Sequence, residues 1–145
     1  MANTQSMCTS FLGELMLGQH QFGTSTIVSR TSLTSPTTDT VKAALYLASA
    51  TMNASTTVYT VTGEVSGTGY TAGGVTVTNA TAPTSTNAST TAGVGYWTPS
   101  ASIVYTTVTL TTAFDTVLIY NSTQSNKAVS VHTFGSQTIT AGTFT

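Results

Sequence analysis

The sequence predicts an all-β domain, an antiparallel β-sandwich or jelly roll with one short N-terminal helix. The first observation is that only 5% of residues are charged, against about a quarter in an ordinary globular domain. Polarity is carried instead by Thr and Ser, and Thr is β-branched, stiff at χ1 and suited to a half-exposed pleated strand. The second is that short runs of alternating apolar and hydroxyl residues recur, punctuated by Gly, Asn, Ser and Pro, as antiparallel strands joined by turns require. The third is length: 145 residues can bury one real core but not two. The chain therefore reads as a single β-sandwich domain, 1–145, with 1–22 as an N-terminal arm. Six Tyr, five Phe and one Trp with a net charge of −1 mark a chain that folds.

The arm carries the one helical pattern, "TSFLGELMLGQHQF". Thr9 or Ser10 caps it, Phe11 and Leu15 fall on successive turns, and Gly18 stops it. Its ridge of Phe11, Leu12, Leu15 and Met16 is expected to pack on the domain. After the connector "GTSTIVSRTSLTSPTTD", the segment "TVKAALYLASA" suits a helix by its Ala and Leu content or a strand by alternation. Val41, Ala43, Leu45 and Leu47 on one side and Lys42, Ala44 and Tyr46 on the other favour a strand. Further strands are expected at "TTVYTVTGEV", "GGVTVTNAT", "ASIVYTTVTLTT", "DTVLIYN", "KAVSVHTF" and "QTITAGTFT". The segments either side of "STQSN" form a hairpin with Val117, Ile119, Val129 and Val131 on one face. Between Thr81 and Ala92 nothing is large enough to bury, so an exposed loop is expected. No solenoid or propeller repeat is evident.

Several function classes fall away on composition. Binding nucleic acid requires several cations against phosphate, and the chain has only Arg30, Lys42 and Lys127. No apolar run is long enough to cross a bilayer. The start "MANTQSMCTSF" lacks a basic region and apolar centre, so the mature chain is expected to begin near Met1, with no secretory signal. A single cysteine, Cys8, excludes an intrachain disulfide, fits a reducing cytosol and reads as a buried free thiol.

The glycine-rich "SGTGYTAGG" raises the question of a phosphate loop. Such a loop precedes a helix whose N-terminus holds the phosphate, and a P-loop adds a Lys followed by Ser or Thr. Here Val-Thr alternation follows and the nearest Lys is Lys42, so the glycines read as a bulge or turn between strands. The four carboxylates, Glu14, Asp39, Glu64 and Asp115, are dispersed; Asp39 and Asp115 each look like a turn acid before an apolar strand. His20 and His132 lack ligand-spaced partners, so no metal or cofactor is expected. A Cys8–His20 nucleophile pair lacks an orienting third group, and no Gly-x-Ser-x-Gly elbow occurs. The chain is thus not expected to be an enzyme; a small hydrolase would need a Ser, His and Asp set assembled by folding. Asn53, Asn79, Asn87 and Asn121 each begin an Asn-x-Ser/Thr triplet, which chance supplies in so Thr-rich a chain. Tyr96 with Trp97 offers a sugar-stacking platform, although a lone Trp in a sandwich usually belongs to the core.

Four blocks, "CTSFLGEL" with "GQHQF", "DTVKAALYLASATMNASTTVYTVTGEVSGTGYTAGG", "VLIYNSTQSNKAV" and "TFGSQTITAGTFT", resemble a family of small virion structural proteins of tailed bacteriophages. Together they span more than half the chain. The resemblance implies a non-enzymatic component of the virion, made in the bacterial host cytoplasm: a capsid decoration or cement protein on the capsid surface. Its expected partners are the major capsid protein and further copies of itself, as a trimer. A head or tail fibre element, or receptor-binding module, is the alternative. Phe11, Leu15, Phe22, Tyr96 and Trp97 are the expected partner contacts. Two departures stand out: Leu12 and Gly13 follow "SF" where the family usually carries Lys, and relatives continue past "GTFT". A missing final strand is expected to leave an exposed sheet edge, so that either a neighbouring subunit completes the sheet or the fold is trimmed.

Overall fold

The computed structural model describes residues 3–16, 18, 20, 22, 38–78, 84–85 and 95–145. It is mostly strand. A five-stranded antiparallel sheet is built from β1 (Ser6–Met7), β2 (Val41–Leu47), β3 (Val75–Thr76), β6 (Tyr105–Asn121) and β7 (Lys127–Phe144), in the order β1-β7-β6-β2-β3. A separate ribbon pairs β4 (Thr84–Ser85) with β5 (Gly95–Tyr96). The one helix among the described residues, α1 (Thr9–Met16), follows β1. Gly18 ends its turn at φ 69, its N–H donating to the Leu15 carbonyl at 3.0 Å.

The hairpin of β6 and β7 is the frame. Its connection is the five-residue loop 122–126, in which Ser125 and Asn126 have φ of 54 and 59 and Lys127 N donates to Gln124 O at 3.2 Å. The Asn121 Oδ1 anchors the turn by accepting from Thr123 N and Gln124 N, both at 3.1 Å.

The hairpin differs from its expected form in two ways. The four strand segments read from the sequence are two long strands, because "TTAFD" contains no Gly or Pro to stop the ladder and the irregularity appears as four register shifts between Tyr105 and Thr116. Asp115 therefore lies inside β6, not in a turn. The expected face also slips by one. Val117 lies opposite His132 and Ile119 opposite Ser130, while Val131 is opposite Leu118, so Val131 shares its face with Leu118. Val129 is the cause: Ile119 pairs with Ser130 and Tyr120 with Ala128, leaving Val129 as the extra residue of a bulge.

At the outer bulges Thr107 and Ala141 adopt φ of 52 and 48. A β-branched residue there is strained by about 1–3 kcal/mol, and glycine returns part of that as backbone entropy. Thr107→Gly is therefore expected to stabilise the protein by about 1 kcal/mol, read as a raised denaturation midpoint at unchanged m-value.

β2 is a strand, as its alternation indicates, and it pairs with β6 from Val41↔Asn121 to Leu47↔Phe114. Val41, Ala43, Ala44, Leu45 and Tyr46 are all buried, so both faces are covered. On the Tyr46 face the cover is the 48–74 segment: the Tyr46 hydroxyl donates to the Thr60 carbonyl, and the Tyr59 ring stacks on Tyr120 with centroids 4.6 Å apart. "TTVYTVTGEV" is consequently not a strand. It touches the ladder only through isolated bridges, Val58 to Lys127 and Glu64 to Tyr46, because Tyr59 and Glu64 turn inward and Gly63 takes φ 80. Among the described residues of "GGVTVTNAT", 73–78, Val75–Thr76 is the part that joins the sheet as strand.

The described residues thus form one sheet overlaid by irregular chain; they contain no second large sheet of a sandwich or jelly roll. Within the expected loop from Thr81 to Ala92, residues 84–85 are strand. The rest of that loop, the connector at 23–37 with Arg30, and the side chains of Leu12 and Met16 lie outside the described residues.

Candidate functional site

Three constellations collect the chemistry that the sequence left scattered. The first is buried under the 48–74 cover. Glu64, 8% exposed, accepts from the Tyr59 and Tyr70 hydroxyls at 2.6 and 2.7 Å and from Gly73 N at 2.8 Å. The Tyr70 oxygen in turn accepts from Leu45 N at 3.0 Å. Burial, and then the bond to Glu64, push the Tyr70 phenol far above its ordinary range. A carboxylate so fully engaged fixes the cover to the sheet and is not free to exchange protons with a substrate.

The second joins the arm to the hairpin. Glu14 accepts from His20 Nε2 and Lys127 Nζ, both at 2.7 Å. His20 Nδ1 meets Asn121 Nδ2 at 3.0 Å, and that same amide nitrogen donates to Asp39 Oδ2 at 2.6 Å. Two carboxylates distant in sequence thus become ends of one network. Cys8 is fully buried, and burial, then the Glu14 charge, push its thiol up to about 11. Its sulfur makes no hydrogen bond to His20 among the described residues, so the nucleophile pair does not form. Asn121 is 0% exposed and closed to glycosylation. Asn53, whose Oδ1 accepts from Ser55 N at 2.8 Å, is half-buried, and Asn79 and Asn87 lie outside the described residues.

The third is an open groove of about 740 Å3 between the 99–103 segment and the outer half of the hairpin. Leu45, Ile103, Val117, Phe134 and Phe144 supply its apolar lining, with Gln137 among the polar residues. Phe134 and Phe144 sit 5.2 Å apart and meet Phe114 at 5.9 and 5.2 Å, so the lining is continuous with the core. No charged side chain lines it among the described residues. Its one titratable side chain among the described residues, Tyr105, donates to the Ala43 carbonyl at 2.8 Å, and burial raises its phenol. Such a groove suits an apolar surface, and no carboxylate, imidazole, amine or thiol side chain lines it among the described residues.

The expected partner contacts divide. Phe11 and Phe22 are buried at 6% and 9% exposure, with ring centroids 5.7 Å apart. Trp97 packs on Phe22 at 5.0 Å. Phe11 and Phe22 are buried between the arm and the body and are not exposed for docking, whereas Trp97 is half-buried against Phe22 and keeps part of its ring exposed. Leu15 and Tyr96 do face solvent, at 42% and 47% exposure. With its Trp packed on Phe22, the sugar platform is reduced to Tyr96 and the exposed part of the Trp97 ring. Met7, Val58 and Val61 are further exposed apolar side chains at 53%, 45% and 67%; alternation in the sequence did not single them out, because only the fold reveals which face is covered.

A Ser–His contact does exist, Ser130 Oγ to His132 Nε2 at 2.9 Å. Residues two apart on a strand are neighbours on one face by construction, and no carboxylate orients the ring among the described hydrogen bonds. No group of three His, Cys, Asp or Glu among the described residues could hold a metal ion, and no described helix is long and apolar enough to cross a membrane. Compared with known protein families, with curated proteins and with solved structures, the chain matches none.

Proposed function

We propose that this chain is a structural protein of a tailed bacteriophage virion, a capsid decoration or cement protein that binds the major capsid protein lattice at the capsid surface as a homo-oligomer. The observation that carries this reading is the uncharged, apolar groove continuous with the core. A groove with an open mouth and no reactive group suits adhesion. The carboxylates support the same reading: Glu14, Asp39, Glu64 and Asp115 all engage internal partners, which leaves none poised for catalysis. The likeness of "ALYLASATMNASTTVYT" and the flanking blocks to phage virion proteins gives the adhesive its setting. On this reading the sheet and its overlying chain form the layered body of a sandwich or jelly roll.

Cementing works by burying additional apolar and hydrogen-bonding surface across subunit junctions, which adds free energy to the assembled shell alone. Contacts poor in ions are insensitive to screening. Purified protein is therefore expected to rebind undecorated capsids with affinity constant to about threefold between roughly 0.05 and 0.5 M salt. Measured by sedimentation, a loss of about tenfold or more across that range overturns the reading.

A further inference from the structure

The Lys127 ammonium and the His20 ring both reach one carboxylate of the N-terminal arm, that of Glu14. The start of the arm is tied independently, by Asn3 to Leu47 O, Asp115 and Met52 N, by Thr4 N to Met52 O, and by β1, whose Ser6 and Met7 pair with Val131 and Ser130; past Cys8, the described side-chain bonds from the arm to the body are those of Glu14 and His20. The groups facing Glu14 come from every element around it. His20 belongs to the arm, Lys127 to β7, the Cys8 thiol lies behind it, and Asn121 of β6 connects His20 to Asp39 before β2.

The geometry fixes the direction of each bond. Asn121 Oδ1 accepts from two backbone N–H groups and its Nδ2 donates to Asp39, so the amide cannot turn round without opposing donor to donor. Its remaining N–H then points at His20 Nδ1, which must accept, and the ring proton sits on Nε2, donating to Glu14. Every polar bond from this cluster into Glu14 is a donation, and Glu14 receives both only as a carboxylate.

We propose that Glu14 is a latch: ionised, it holds the N-terminal arm against the hairpin, and protonated, it lets the arm lift while the sheet stays folded. The arm that lifts bears Phe11, Phe22 and Cys8, all buried when it is closed. Burial alone would raise the Glu14 carboxyl, but the hydrogen bonds from Lys127 and His20, with the Lys127 charge, outweigh it and leave it below its ordinary value. A group lowered in this way contributes stability that is complete above its unfolded value and is lost as pH falls through the folded one. The latch is therefore closed at neutral pH and opens in acid.

Cys8, the single thiol, reports the opening. A dithiodipyridine reagent, which labels thiols in acid and at neutrality, is applied to the full chain at about pH 7 and about pH 3, with hydrogen exchange of the 117–131 amides followed in parallel. Cys8 is expected to label about tenfold faster or more in acid while those amides stay protected. Glu14→Gln, which keeps the shape and removes the charge, is expected to label at the fast rate at neutral pH, and Lys127→Met to fall between. Slow labelling of Glu14→Gln at neutral pH overturns the latch. So does simultaneous loss of Cys8 and 117–131 protection, in acid or in the variants, because the arm would then open only by global unfolding.

Discussion

Glu64→Ala is expected to destabilise the fold by about 3–5 kcal/mol, the largest effect of any single polar truncation in the 48–74 cover. The carboxylate is 8% exposed and receives Tyr59, Tyr70 and Gly73 N–H. Removing it strands three donors under the cover. A buried donor without a partner loses its desolvation free energy outright, and hydrogen bonds to charge are worth about twice neutral ones. Glu64→Gln preserves the volume but aims an NH2 group at one of those donors, so about half the loss is expected. Tyr70→Phe removes a hydroxyl that both donates to Glu64 and accepts from Leu45 N, and should cost about 1–3 kcal/mol. Urea unfolding at constant m-value measures all three. A loss below about 1 kcal/mol in Glu64→Ala would mean that water replaces the carboxylate and that the cover is not held there.

Gly74→Ala is expected to cost about as much, on the order of 4 kcal/mol, for a steric reason. Gly74 has φ 68, and a Cβ built on it would lie 1.7 Å from the Ala43 carbonyl oxygen. Both the handedness and the contact exclude a side chain, and backbone of a central strand cannot move aside cheaply. Gly67 presses in the same way on the Thr109 carbonyl, at 2.0 Å. Gly135 provides the control, since a Cβ there meets nothing within 4 Å, and Gly135→Ala should lie within about 0.5 kcal/mol of the parent. Equal stability of Gly74→Ala and Gly135→Ala, by the same unfolding measurement, would contradict the close packing of this loop on β2. The glycines of "SGTGYTAGG" thus let a covering chain lie directly on sheet backbone, and their number follows from the closeness of that approach.

Much of the fold was legible. Alternation in "VKAALYL" marked β2, the two apolar runs flanking "STQSN" marked the hairpin, and Gly18 marked the end of α1. Each is a local signal, set by side-chain period or by a φ that few residues adopt. What alternation could not supply was register. A bulge at Val129 moves Val131 onto the face of Leu118 and leaves Val117 with His132, and nothing in "KAVSVH" marks it, since Val129, Ser130, Val131 and His132 alternate as in an unbroken strand. "TTVYTVTGEV" has strand composition and is not a strand, because its Tyr and Glu are committed to a buried network that only folding assembles.

The candidate site divides along the same line. Composition by itself determined that the chain is rich in hydroxyls and poor in ions, and it set the expectations against nucleic acid, a metal and a nucleophile; these follow from residue types and spacing and need no geometry. Only the tertiary structure decided that Phe11, Phe22 and Trp97 close on one another while Leu15 and Tyr96 stay outside, that Glu14 and Asp39 meet through His20 and Asn121, and that an uncharged groove opens beside Phe134 and Phe144. Those are contacts between residues tens of positions apart. Chain connectivity places no bound on them, and they exist because burying rings and pairing every enclosed donor is what lowers the free energy of the folded chain.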